Sequence, residues 1–125
     1  MTLKNLFIAN SAIAVFGALA LLLLPTALLD TFGMRDDPGS KLWMQFFGSQ
    51  WLASGLITLF ALNTDELRSQ RSLTLSFFIA YGIGLIVAIG GVLSDALNST
   101  GWVLVILLLA LTLGFGYFQF IGPSD

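Results

Sequence analysis

Four unbroken apolar runs divide the chain, and charges fall only between them: none from Lys4 to Asp30, from Lys41 to Asp65, from Arg71 to Asp95, or from Asp95 to Asp125. Each gap exceeds the roughly 20 residues that carry a helix across a hydrocarbon core. The runs do not alternate with period two, and a lipid-exposed strand edge would leave backbone groups unpaired, so the pattern predicts helices. They lie at about Leu6–Leu24, Leu42–Leu62, Leu73–Leu93 and Trp102–Ile121. The predicted fold class is an all-α membrane protein: residues 1–125 as one four-transmembrane-helix bundle with short loops.

The second run, LWMQFFGSQWLASGLITLFAL, carries a polar line through its middle and reads as the hub of the bundle. Gln50, Ser54 and Thr58 follow at i, i+4 and i+8 and are expected on one inward face, while Gly48 and Gly55, a heptad apart, leave room for a neighbouring helix. In the first run Asn10, Ala14 and Ala18 share a face with Gly17. In the third, Ser76, Ala80, Gly84 and Ala88 recur every fourth residue and Gly91 extends the same side. This is the strongest packing stripe in the chain, a ridgeless surface of the kind that lets helix backbones approach closely in lipid. Ala110, Thr112, Gly114 and Gly116 supply small residues in the last run. The expected packing interface is therefore Gly48, Gly55, Ala80, Gly84, Ala88 and Gly91.

The connectors are short. Pro25 interrupts the first helix, and Thr26–Phe32 is predicted as a short amphipathic piece at the membrane interface, ended by Gly33. The Met34–Lys41 loop reads as a solvated connector or a partner-docking loop. In Asn63–Ser72, Thr64, Asp65 and Glu66 precede Arg68 and Arg71, an order that favours a short helical turn or an N-terminal extension of the third span. Gly122-Pro123 ends the fourth. Trp43 and Trp102 open their spans on one side of the membrane as an aromatic belt, with Tyr117 marking the opposite rim. The run Leu6–Leu24 exceeds the 7–15 apolar residues usual in a signal peptide, roughly counted, and no cleavage site precedes Pro25, so it is expected to stay as the first span. Three bases (Lys4, Arg68, Arg71) stand on the N-terminal side against two (Arg35, Lys41) opposite, which favours both termini in the cytoplasm.

Composition agrees with this picture and removes several function classes. Hydrophobic residues make up 57% of the chain, charged residues 10%, and the mean hydropathy is +0.93, outside the soluble globular range. A net charge of −2 and the lack of a basic cluster give no reason to expect nucleic acid or anionic headgroups as partners. With no cysteine there is no disulfide or thiol redox relay; with no histidine there is no imidazole ligand and no ordinary near-neutral base. No span holds a central Asp, Glu, Lys or Arg, which disfavours proton-coupled transport. No catalytic residue, metal site or cofactor is predicted, and the chain is not expected to be an enzyme. The polar residues left in the spans read first as interhelical hydrogen bonds. They read alternatively as a pocket in which Asn10 and Gln50 donate to a carbonyl, Ser54, Thr58 and Tyr81 add hydroxyls, and Trp51 forms an apolar wall. Trp51 sits near mid-membrane, away from the interface tryptophan prefers, and as a plainer alternative it fills the core or faces a partner protein.

The chain resembles the small four-helix inner-membrane proteins common in bacteria. The likeness rests on Leu24-Pro25, Phe32-Gly33, the segment FGSQWLASGLITLFAL at 47–62, an Arg-bearing connector, and Asn98–Trp102 leading into the last span. It implies a four-span fold in the bacterial inner membrane and no particular activity. Two functions are therefore expected from the sequence. The first is a structural or accessory subunit that packs in the bilayer against a larger membrane complex or against copies of itself. The second is binding or transport of a small hydrophobic molecule (a lipid, quinone or pigment) at the second helix.

Overall fold

A computed structural model describes residues 2–63 and 66–121, and of Leu67 its backbone alone. Every regular element among them is a helix: α1 (Leu3–Leu23), α2 (Pro25–Thr31), α3 (Pro38–Ala61), α4 (Leu67–Leu93) and α5 (Gly101–Phe120). Three are long and apolar enough to cross a membrane: α1, α4 from Arg68, and α5. The expected set of four narrows accordingly. α3 has the length, at 24 residues, but Gln45, Ser49, Gln50 and Ser54 dilute its apolar character.

Local chemistry accounts for the breaks. Thr2 caps α1, its hydroxyl accepting from the Asn5 N–H at 3.2 Å. Leu24 precedes a proline, is kept out of the helical region (φ −127°, ψ 46°), and so separates α1 from α2. α2 ends at Gly33 with φ +69°, a left-handed geometry that glycine adopts without strain. Asp37 caps α3 by accepting the Ser40 N–H at 2.7 Å. That main-chain bond, helped by the Ser40 hydroxyl and Arg35, holds the Asp37 carboxyl below the usual carboxylate range. The positively charged stretch before the third apolar run is an N-terminal extension of α4, which starts at Leu67. Thr64, Asp65 and the Gly122-Pro123 terminator lie outside the described residues.

The helices form two antiparallel pairs, α1 with α3 and α4 with α5, joined by a thinner seam between α1 and α5. α2 lies against α1 and α3. The element that links the molecule is therefore α1, which touches α2, α3 and α5, and the hub assigned to the second apolar run shifts to its neighbour. The α1–α3 contact is close because of two glycines. A Cβ on Gly48 would lie 3.2 Å from the Ala18 carbonyl oxygen, and one on Gly55 would lie 3.2 Å from the Val15 main-chain nitrogen. In the seam, Gly114 faces Leu6, and fully buried Phe115 meets Phe7 of α1 and Phe77 and Tyr81 of α4, with ring centroids 5.2–6.4 Å apart.

At one end the α4–α5 loop grips α2. The Asn98 N–H donates to the Phe32 carbonyl at 2.9 Å and its side-chain amide to the Thr31 carbonyl at 3.0 Å. Trp43 and Trp102 are exposed at this end, and Tyr117 is exposed at the other.

Candidate functional site

Asn10, fully buried in α1, is the centre of a hydrogen-bond cluster that joins three helices. Its amide nitrogen donates to Thr58 Oγ1 at 3.1 Å and to Ser54 Oγ at 3.3 Å, and its carbonyl oxygen accepts from the Tyr81 hydroxyl at 2.5 Å. The directions of the remaining bonds follow from proton counting. Tyr81 gives its one proton to Asn10, so Ser54 must donate in their 3.1 Å contact. Thr58 gives its proton to the carbonyls of Ser54 and Gly55, so Ser11 donates to Thr58 at 2.8 Å. Asn10, Ser54 and Tyr81 thus form a closed ring of bonds. Trp51 Nε1 adds a long donation of 3.4 Å to the Tyr81 hydroxyl. Among the described residues no buried side-chain nitrogen or oxygen lacks a partner.

This cluster closes the inner end of a groove. α3 and α4 do not pack directly along their length, and between them opens a cavity of about 590 Å³, floored by Leu104 and Leu108 of α5. One wall is Phe47, Gln50, Trp51 and Ser54; the other is Ala80, Gly84, Ala88 and Gly91. A second cavity of about 540 Å³ lies towards α2 and Trp43. Phe47 and Trp51, a parallel stacked pair with centroids 5.6 Å apart, line both and with Met34, Leu97 and Leu104 stand between them. The Trp51 ring is wedged over α1: a Cβ on Gly17 would fall 2.3 Å from it.

The six residues named from sequence as a pocket are thus found in two roles. Asn10, Ser54, Thr58, Tyr81 and Trp51 share the hydrogen-bond cluster, while Gln50 stands outside it, exposed, on the groove wall. The expectation that Gln50, Ser54 and Thr58 all look inward fails for a geometric reason. Four residues advance a helix about 40° beyond a full turn, so Gln50 and Thr58 point about 80° apart. Thr58 is buried against α1, Ser54 is half-buried, and Gln50 has turned into the groove. The α4 stripe drifts likewise, from exposed Ala80 through Gly84 to buried Ala88. A Cβ on Gly84 would meet only the Leu108 methyls, at 3.8 and 4.0 Å, so the stripe there is the wall of a cavity and not a close helix contact. Gly48 and Gly55, seven residues apart, stay on one face and do pack closely.

Gln50 differs from the other polar side chains of α3. Gln45 donates to the Leu22 carbonyl at 3.2 Å and Ser49 to the Phe46 carbonyl at 2.8 Å, whereas the Gln50 amide has no hydrogen-bond partner among the described residues. Two participants escaped the sequence reading: Ser11, which adjoins Asn10, and Phe47, whose i, i+4 spacing from Trp51 was the available signal. Among the described residues no three His, Cys, Asp or Glu side chains are grouped to hold a metal ion. The chain matches no protein-family model, no curated protein and no solved structure.

Proposed function

We propose that this chain is a four-pass protein of the bacterial inner membrane, with both termini cytoplasmic, whose α3–α4 groove binds a small hydrophobic molecule. The reading gives it no catalytic step. Three of its helices have the length and apolarity of spans, and α3 joins them by its antiparallel contact along α1. Lys4, Arg68 and Arg71 fall at one end of the bundle, and Arg35 and Lys41 at the other. The chain lacks cysteine, so single cysteines at Thr2, Ser72 and Ser99 report the topology directly. In intact cells an impermeant thiol reagent should label only the cysteine at 99.

One observation carries the binding reading: Gln50 presents an unpartnered carboxamide to a groove half-way along α3. An amide without a hydrogen bond in an apolar medium is unfavourable by about 1–3 kcal/mol on mutational scales. A bound molecule with a polar head relieves that penalty and fills a space typical of small-ligand sites. The test is extraction in mild detergent followed by mass spectrometry of retained small molecules. Retention should be lost in Gln50→Leu and in Gly84→Leu, with helix content unchanged.

The accessory-subunit reading has its own support, because the edge between α3 and α4 is uncovered and Ala80, Gly84 and Ala88 would admit a partner's helix or a second copy. Native electrophoresis separates the two. Assembly broken by Gly84→Leu but kept in Gln50→Leu, with nothing retained, selects the partner.

A further inference from the structure

We infer that the occupant of the α3–α4 groove is a prenylated quinone, seated with its ring at mid-membrane beside Gln50. The inference deepens the binding reading above and rests on it.

Depth is the first argument. Gln50 stands near the middle of α3 and Tyr81 near the middle of α4, so the groove is polar at its deep end. Towards the membrane surface its lining becomes Gly91, Ala96 and Leu97. A phospholipid has the opposite polarity, since its charged headgroup stays at the interface. Charge is the second argument. No Asp, Glu, Lys or Arg lines this groove, so a phosphate or carboxylate brought to this depth would be desolvated without a counter-charge. The head must be neutral.

Hydrogen-bond polarity narrows the class. Tyr81, Ser54 and Asn10 have committed their protons to one another, and the donors left over are the Gln50 amide and the weakly engaged Trp51 N–H. The Gln50 NH2 and the Trp51 N–H outnumber the one free carbonyl oxygen, that of Gln50 itself, so the site favours a ligand carbonyl, and a quinone offers carbonyls on a flat neutral ring. Flatness suits the walls, with Gly84 and Ala80 lacking bulk on one side and the Phe47–Trp51 aromatic pair on the other. Along α4 the lining continues from Tyr81, beside the ring, to Gly91, which at 1.5 Å per residue is about 15 Å, room for a short isoprenoid tail.

The test uses the full chain with Trp43→Phe and Trp102→Phe, leaving Trp51 as the one tryptophan, in nanodiscs of phosphatidylcholine. The probes are a short-chain ubiquinone, its quinol and dioleoylglycerol. Quinone should quench Trp51 saturably, the quinol should bind more weakly, and Gln50→Leu should raise the quinone dissociation constant at least about tenfold. Circular dichroism checks that this variant folds, and Gly84→Leu, which fills the slot from the other wall, should also abolish quenching. If dioleoylglycerol binds saturably while quinone quenches only linearly, as free in the bilayer, the quinone inference falls and groove binding stands. If no probe saturates and nothing is retained on extraction, both fall.

Discussion

Removing Asn10 tests whether the buried ring of hydrogen bonds holds the two helix pairs together. Asn10→Ala deletes three bonds at once, to Thr58, Ser54 and Tyr81. Within membranes such bonds average about 0.6 kcal/mol, so the three together are worth about 2 kcal/mol. The vacated volume adds a cavity term of the same sign. Tyr81→Phe removes one of those bonds together with the contacts from Ser54 and Trp51. The two changes share a bond, so their effects should not add, and the double variant should be less destabilised than the sum by about 0.5–1.5 kcal/mol. Reversible unfolding in mixed micelles, followed by circular dichroism, gives all four stabilities. A coupling energy near zero, or Asn10→Ala as stable as the wild type, would refute the claim that this cluster ties α1 and α3 to α4.

Three further outcomes follow from the packing and the caps. Gly55→Leu should destabilise the fold by about 1–3 kcal/mol in the same unfolding measurement, because the new side chain meets α1 main chain that cannot yield locally. Gly84→Leu, facing the groove, should leave the unfolding midpoint close to that of the wild type. The Asp37 carboxyl is held low in the folded state, so its capping contribution is complete above about pH 4 and is lost as pH falls through the lowered folded value. Protection factors for the amides of residues 39–41, exchange rates corrected for the intrinsic rate at each pH, should fall below that point, and Asp37→Asn, which keeps the cap without the charge, should remove this pH dependence of protection.

The charge gaps made the long helices legible, and Pro25 with Gly33 made α2 legible, because both signals are local. Which helix pairs with which was not, since an apolar surface looks the same whether it meets lipid or protein. Spacing of four kept Asn10, Ala14 and Ala18 buried on one face of α1 but carried exposed Gln50 and Ala80 away from their neighbours on α3 and α4, whereas spacing of seven held Gly48 and Gly55 on one side. A heptad falls about 20° short of two turns and stays on one side, whereas each step of four moves on by about 40°. Hence Gly48 and Gly55 both face α1, while Gln50 and Ala80 turn to the groove. Asn10 was legible as an amide in an apolar run. Its union with Tyr81, 71 residues away, required the seam through Phe115 that brings α1 to α4.

The arrangement in two antiparallel pairs also bears on how the protein comes into being. Each pair satisfies most of its contacts internally, so on the four-pass reading proposed above the first can settle in the bilayer before the second leaves the ribosome. The Asn10 ring, the Asn98 grip on α2 and the groove all belong to the later meeting of the pairs. Halves separated at the 63–66 connector and made as two polypeptides should therefore find each other in the membrane, and the groove would arise only at their reunion.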